Sequence, residues 1–124
     1  MVMGVKSPGG IMTLLYVSGP MTGLPEHNFP AFHRAECLLS ESGYRVENPA
    51  HKGILTGWTW ADYLRHDLRR MLDCDGVAAL PGHRMSRGAR LELHVARELG
   101  MPIHTVRFWQ KAALVRLTGT RVTA

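Results

Sequence analysis

Cysteine is scarce in this 124-residue chain: Cys37 and Cys74 stand far apart and follow no pattern. That excludes a disulfide framework and points to a cytoplasmic setting. Long apolar runs are missing as well. Stretches such as IMTLLYV (Ile11–Val17) fall far short of the roughly 20 residues that cross a bilayer, so no membrane association is expected. Met1–Gly10 has no cleavable apolar region after Lys6, so no signal peptide is expected there. Lysine is rare, 3 residues against 12 arginines, and the 10 acids leave a net charge of +5. A basic surface suits an anionic partner such as a nucleotide, a nucleic acid or a phosphorylated metabolite. The arginines are spread along the chain, however, and no zinc-finger or RNP-type motif supports nucleic-acid reading. No repeat or low-complexity segment is present.

What the chain does contain is an ordinary globular composition, 45% hydrophobic and 20% charged, in a length that fits one domain. Residues 1–11 read as a flexible leader and 12–124 as a single domain. Strand-like and helix-like pieces alternate. Met12–Gly19 is a short apolar run ending in a Ser-Gly-Pro turn, hence a buried strand. Asn28–Gly43 is a helix with Asn28 as its cap and Pro30 in its first turn. Tyr44–Pro49 is a second strand, and Ala50–Gly57 a loop. A helix follows from about Thr59 to Leu72, and Asp75–Pro81 is a third strand. Ser86–Gly100 is a third helix and Pro102–Phe108 a fourth strand, with a short helix expected from Trp109. This alternation predicts an α/β fold: a three-layer α/β/α sandwich around a doubly wound, mainly parallel sheet of four or five strands, Rossmann- or flavodoxin-like. Ligands in such folds bind at the carboxyl ends of the strands, here Ser18–Gly23, Asn48–Pro49 and Pro81–Ser86.

Two of the predicted helices carry an acid on a greasy face. In Ser86–Gly100, Leu91, Val95, Ala96 and Leu99 form the stripe expected to be buried, opposite Arg90, His94 and Arg97, and Glu92 belongs with the apolar side. In the preceding helix Trp60, Tyr63, Leu64, Leu68 and Met71 form the apolar face, and Asp67 lies on it. A buried carboxylate is costly unless paired or hydrogen-bonded. Each acid could cap a loop or pair with an arginine at the edge of the core. Two in adjacent helices also suit glycosidic-bond chemistry, in which one carboxylate attacks and the other supplies a proton.

At these residues the chain resembles the nucleoside 2-deoxyribosyltransferase superfamily, which includes the 2'-deoxynucleoside 5'-monophosphate N-glycosidases and a phage and bacterial branch. Three pieces carry the resemblance: YVSGPMTG (Tyr16–Gly23), Asp67 followed by DGVAALP (Asp75–Pro81), and SRGARLELHVARELGMPI (Ser86–Ile103). The last fits the family pattern Ser-x-Gly-x-x-x-Glu-x-x-x-Ala-x-x-x-Gly-x-Pro. The resemblance implies that Glu92 is the nucleophile at the anomeric carbon, that Asp67 assists departure of the base, and that Tyr16 orients the nucleophile. It further implies that Ser18, Gly19, Ser86 and Gly88 bind substrate, the last two where free helix N–H groups favour an anion. Without it, Tyr16 reads equally as a core aromatic, Ser86 as a helix cap and Gly88 as a close-packing residue. The transferase branch has an acid six positions before the nucleophile. Ser86 stands there instead, as in the monophosphate hydrolases, which favours a phosphorylated substrate. Those hydrolases hold phosphate with Ser and Arg in the first turn, where this chain has Pro20, Met21 and Thr22; Arg84 or Arg87 would have to supply the cation.

The function expected is cleavage of the N-glycosidic bond of a nucleoside or deoxynucleoside 5'-monophosphate, completed by water or by another base. The alternative is a non-catalytic nucleotide sensor on the same fold. Retention of configuration would require carboxyl groups about 5–5.5 Å apart. Trp58 and Trp60 fit either a lid that stacks on a base or the core, Trp60 the core better. His33 and Cys37 share a helix face, but two ligands do not make a metal site, and neither metal nor cofactor is expected. Ser7–Gly10 (SPGG) precedes a strand and is no phosphate loop. A homodimer or higher oligomer is expected, with Ala112, Ala113, Leu114 and Val115 as a contact.

Overall fold

The computed structural model describes residues 13–118; the expected leader, 1–11, and the SPGG segment lie outside them. Four parallel strands form one sheet in the order β2-β1-β3-β4: β1 (Leu14–Ser18), β2 (Arg45–Glu47), β3 (Gly76–Ala79) and β4 (Ile103–His104). The central pair is β1 and β3, with Tyr16 beside Val77 and Ser18 beside Ala79. Both strands are buried along nearly their whole length, as parallel strands covered on two faces must be.

Helices cover both faces and make the three expected layers. On one side α1 (Phe29–Glu41) and α4 (Val106–Thr118) pack together. Phe32, Ala35 and Leu39 of α1 and Trp109 and Ala113 of α4 meet Leu15, Val17 and Ala78 there. On the other side α2 (Trp60–Leu72) and α3 (Arg87–Glu98) pack through Met71, Leu93 and Ala96 onto Tyr16, Val77 and Ala79. The period of two along β1 sorts its residues between these cores.

Several boundaries differ from the sequence expectation for local reasons. The fourth strand shrinks to Ile103–His104, because the Thr105 hydroxyl accepts the Phe108 N–H at 3.1 Å and starts α4 at Val106. Trp109 is a core anchor of α4: its indole N–H donates to the Val77 carbonyl at 2.9 Å, and its own carbonyl accepts from Tyr44. Ala113, expected in an exposed contact stripe, is buried in that core, while Leu114 is exposed. Asn28 does precede α1, but its side chain does not cap the helix; it donates to the Pro20 carbonyl at 2.9 Å. Thr59, where the sequence places the start of this helix, caps α2 in a reciprocal capping box with Asp62.

The chain leaves β1 toward β2 and later crosses back to β3, so the strand order reverses between β1 and β3. That is the topological switch point, where a crevice opens beyond the strand ends. Gly19 sits at its base. A Cβ there would lie 2.8 Å from the Leu80 Cβ, so only glycine lets the two strand ends approach this closely. Among the described residues, no helix is long and apolar enough to cross a membrane.

Candidate active site

The crevice at the switch point is a cleft of about 980 Å3. Its walls come from the turn after β1 (Gly19–Leu24), the start of α1, the segment around Pro49–Ile54, one side of α2 and the N-terminal half of α3. Tyr16, Asp67 and Glu92 line it together. The three residues expected to be catalytic, drawn from three elements, therefore face one cavity.

Glu92 is 6% exposed. The buried face of α3 is Ala89, Glu92, Leu93 and Ala96; of the stripe expected from the sequence Ala96 is buried and Val95 half-buried, but Leu91 and Leu99 point outward. Glu92 thus lies at the centre of the packed face. Both carboxylate oxygens are held: Tyr16 donates its hydroxyl to Oε2 at 2.7 Å, and Ser18 donates to Oε1 at 2.8 Å. Tyr16 and Ser18 are two residues apart on β1, so they project from the same face of the sheet and grip the carboxylate like a fork. Ser18, implied by the resemblance to bind substrate, is fully buried and spends its hydroxyl on Glu92.

Burial pushes the Glu92 carboxyl up to about 7, the hydrogen bonds from Tyr16 and Ser18 pull against that, the nearby charge of Asp67 raises it, and Lys52 lowers it. The Tyr16 phenol is held well above its ordinary range, by burial first and then by the charge of Glu92, so it remains a donor. The carboxylate is poised to change ionisation near neutrality.

Asp67 is nearly buried on α2 and is not alone. The Lys52 ammonium donates to Oδ1 at 2.5 Å, and His66 Nδ1 lies 3.4 Å from the same oxygen. Both ends of the Lys52–Asp67 pair are largely withdrawn from water. Lys52 also donates to the Pro49 carbonyl, which anchors its turn. Sequence reasoning missed Lys52. Its rarity in an arginine-rich chain was the one signal available, since the turn Pro49–Lys52 folds it onto a helix fifteen residues away.

At the cleft mouth Ser86 caps α3, accepting the Ala89 N–H at 3.2 Å, and it also lines the cavity. Gly88 lines the same wall; a Cβ there would meet only the Trp60 indole, at an ordinary 3.8 Å. Trp60, placed by the sequence more readily in the core, is 38% exposed at the cleft, with the Arg87 guanidinium stacked 3.8 Å over its ring. This cation–π pair brings both a flat aromatic face and a positive charge to the mouth. Arg84 is exposed and does not line the cleft, so Arg87 is the arginine at the site. Trp58 packs instead on Tyr63 and His66. His27 and Asn28 also line the cleft, and with Glu26 they form three successive left-handed residues with φ of 53°, 55° and 61°. Such a run of non-glycine residues stores strain, of order 1 kcal/mol or more each, which the surrounding contacts must offset.

Fold and site together define a Rossmann-like α/β domain whose switch-point cleft is floored by a clamped, buried glutamate. The family described as a domain of unknown function, DUF4406, matches residues 13–105, most of the chain and every element that builds the cleft, and the protein belongs to it. No curated protein matches the chain.

Proposed function

We propose that this protein cleaves the N-glycosidic bond of a nucleoside or a deoxynucleoside 5'-monophosphate through a covalent ester on Glu92. The observation that carries the proposal is the buried Glu92 at the cleft floor, with Tyr16 and Ser18 on its two oxygens. A solvated glutamate needs no such fork; a nucleophile that must approach one carbon does.

In the first step an ionised Glu92 oxygen bonds to C1' while the C1'–N bond breaks, its electron pair leaving with the base. The Lys52 ammonium lies against the Asp67 carboxylate, and a proton passes from it through Asp67 to the base nitrogen. In the second step water attacks C1', gives a proton back to the pair, and releases the sugar with Glu92 ionised again. A base in place of water makes the reaction a transfer. The hydrogen bonds from Tyr16 and Ser18 loosen their hold on the carboxylate charge as the ester forms and take it up again as the ester breaks. Trp60 offers a face for the base and Arg87 a charge for a phosphate.

One observation favours a second reading. Asp67 lies in an ion pair, and a carboxylate that is already neutralised by an ammonium is a poor acid by itself. A nucleotide sensor on the same cleft would bind the sugar with Glu92 and consume nothing. Incubation with a panel of nucleosides and 5'-monophosphates, followed by chromatography for free base, separates the two. Base release that disappears in Glu92→Ala supports the glycosidase; unchanged turnover in that variant, or saturable binding with no base released, overturns it.

A further inference from the structure

A second polar cluster lies behind the cleft wall, on the α1 side of the sheet. His33 and Glu36 are one helical turn apart on α1, and His51 comes from the turn Pro49–Lys52. One ligand atom from each of the three lies within 4.8 Å of the others. His51 Nε2 is 2.5 Å from Glu36 Oε1, and the imidazole rings of His33 and His51 are 5.3 Å apart. The sequence pairs His33 with Cys37 instead. Cys37 is exposed and is not among the clustered residues; the third member, His51, comes from fifteen positions beyond Glu36.

Beneath the cluster sits Asn48, 2% exposed. Its Oδ1 accepts the Ala50 N–H at 2.9 Å, which fixes the amide the other way round toward α1. Nδ2 then faces Glu36 Oε1 at 2.9 Å and His33 Nδ1 at 3.2 Å. The two N–H groups of this buried amide fix the positions of Glu36 and His33, and a cation taken up by His33 Nδ1 replaces the Asn48 hydrogen bond there.

Two imidazoles and one carboxylate are a donor set for a borderline late first-row cation, Zn2+ above all. A single carboxylate offers too little oxygen for Ca2+ or Mg2+. Zinc–ligand bonds of about 2.0–2.2 Å put tetrahedral neighbours about 3.4 Å apart. The His51–Glu36 pair must open from 2.5 Å by about 1 Å to admit the ion while the wider separations close, and His33 and His51 are exposed and able to turn. Three protein ligands leave a fourth position, which faces solvent.

We propose that His33, Glu36 and His51 form a binding site for Zn2+ or a similar divalent cation, which staples α1 to the turn that carries Lys52. The site takes no part in the glycosidic chemistry. It fixes the backbone one residue before the lysine that neutralises Asp67, and so ties the shape of the cleft wall to metal supply.

The test is a titration of the full, untagged chain, first stripped with a chelator, with Zn2+ by calorimetry and with Co2+ by visible absorption. One ion should bind per chain, and Co2+ should show the intense ligand-field bands of a four-coordinate site. His33→Ala and His51→Ala should each weaken binding at least tenfold; Cys37→Ser and His94→Ala should not. His33→Gln and His51→Gln repeat the test with side chains closer in size, and circular dichroism checks that each variant is folded. Absence of binding in the parent chain, or binding that survives loss of both histidines, overturns the proposal. Neither outcome bears on base release, so this site and the glycosidase stand or fall separately.

Discussion

Glu92→Gln should make the protein more stable while removing the group proposed to be the nucleophile. Glutamine keeps the length and the two hydrogen-bonding ends of the side chain, and the hydroxyls of Tyr16 and Ser18 can rotate to meet an amide. What it removes is the cost of ionising a carboxyl in a dry site. Burial raises that carboxyl from 4.5 to about 7, which at about 1.4 kcal/mol per tenfold corresponds to roughly 3 kcal/mol. The sign follows from proton counting. Between pH 4.5 and about 7 the folded protein holds a proton here that the unfolded chain has released, so wild-type stability falls as the pH rises through that window. Above it the full cost is present. The glutamine variant has no such dependence. Thermal melts at pH 8 should therefore place the variant roughly 10 °C above wild type, at about 4 °C per kcal/mol for a domain of this size. The gap should close steadily toward pH 4.5. A variant no more stable at pH 8, or a gain that persists unchanged at pH 4.5, would refute the claim that Glu92 is held in a strained ionisation state.

The remaining predictions concern its neighbours. If Glu92 must be ionised to attack, base release should climb with pH through about 7, and Tyr16→Phe, which removes a hydrogen bond that favours the ionised form, should move that limb up by about one pH unit; a limb that stays in place counts against the role of Tyr16. Lys52→Met leaves Asp67 without its counter-ion in a largely dry setting and should cost about 3 kcal/mol in urea denaturation. Adding Asp67→Asn should recover most of that loss, and strictly additive effects would show that the two side chains are not coupled.

The layer order, the parallel sheet and the cleft position were legible because they rest on local patterns: short apolar runs, helical spacing, and Gly-Pro turns at the strand ends. Glu92 and Asp67 stood out for the same reason, as acids on apolar faces. The exact face of α3 was not legible. Leu91 and Leu99 satisfy helical spacing as well as Ala89 and Leu93 do, and only the sheet beneath decides which set is covered. Pro102–Phe108 reads as a strand because its residues favour one, yet the hydroxyl of Thr105 turns the chain into α4. Lys52, His51 and Asn48 stayed hidden because their partners lie on helices reached only once the turn Pro49–Lys52 has folded back. No spacing rule in the sequence encodes such a return.

The fork on β1 also acts as an editor of the fold itself. In a parallel sheet, a slip of one residue reverses every side chain along the strand. Were β1 to slip, Leu15 and Val17 would face α3, and Tyr16 and Ser18 would be stranded in the opposite core. Glu92 would then be buried against hydrocarbon with no donor on either oxygen, and two hydroxyls would lose their acceptor. A merely greasy strand tolerates such an error cheaply. Here the misaligned copy incurs the desolvation of a charge, so the residue that burdens the correct structure with an awkward proton equilibrium is also the one that makes the incorrect structure untenable.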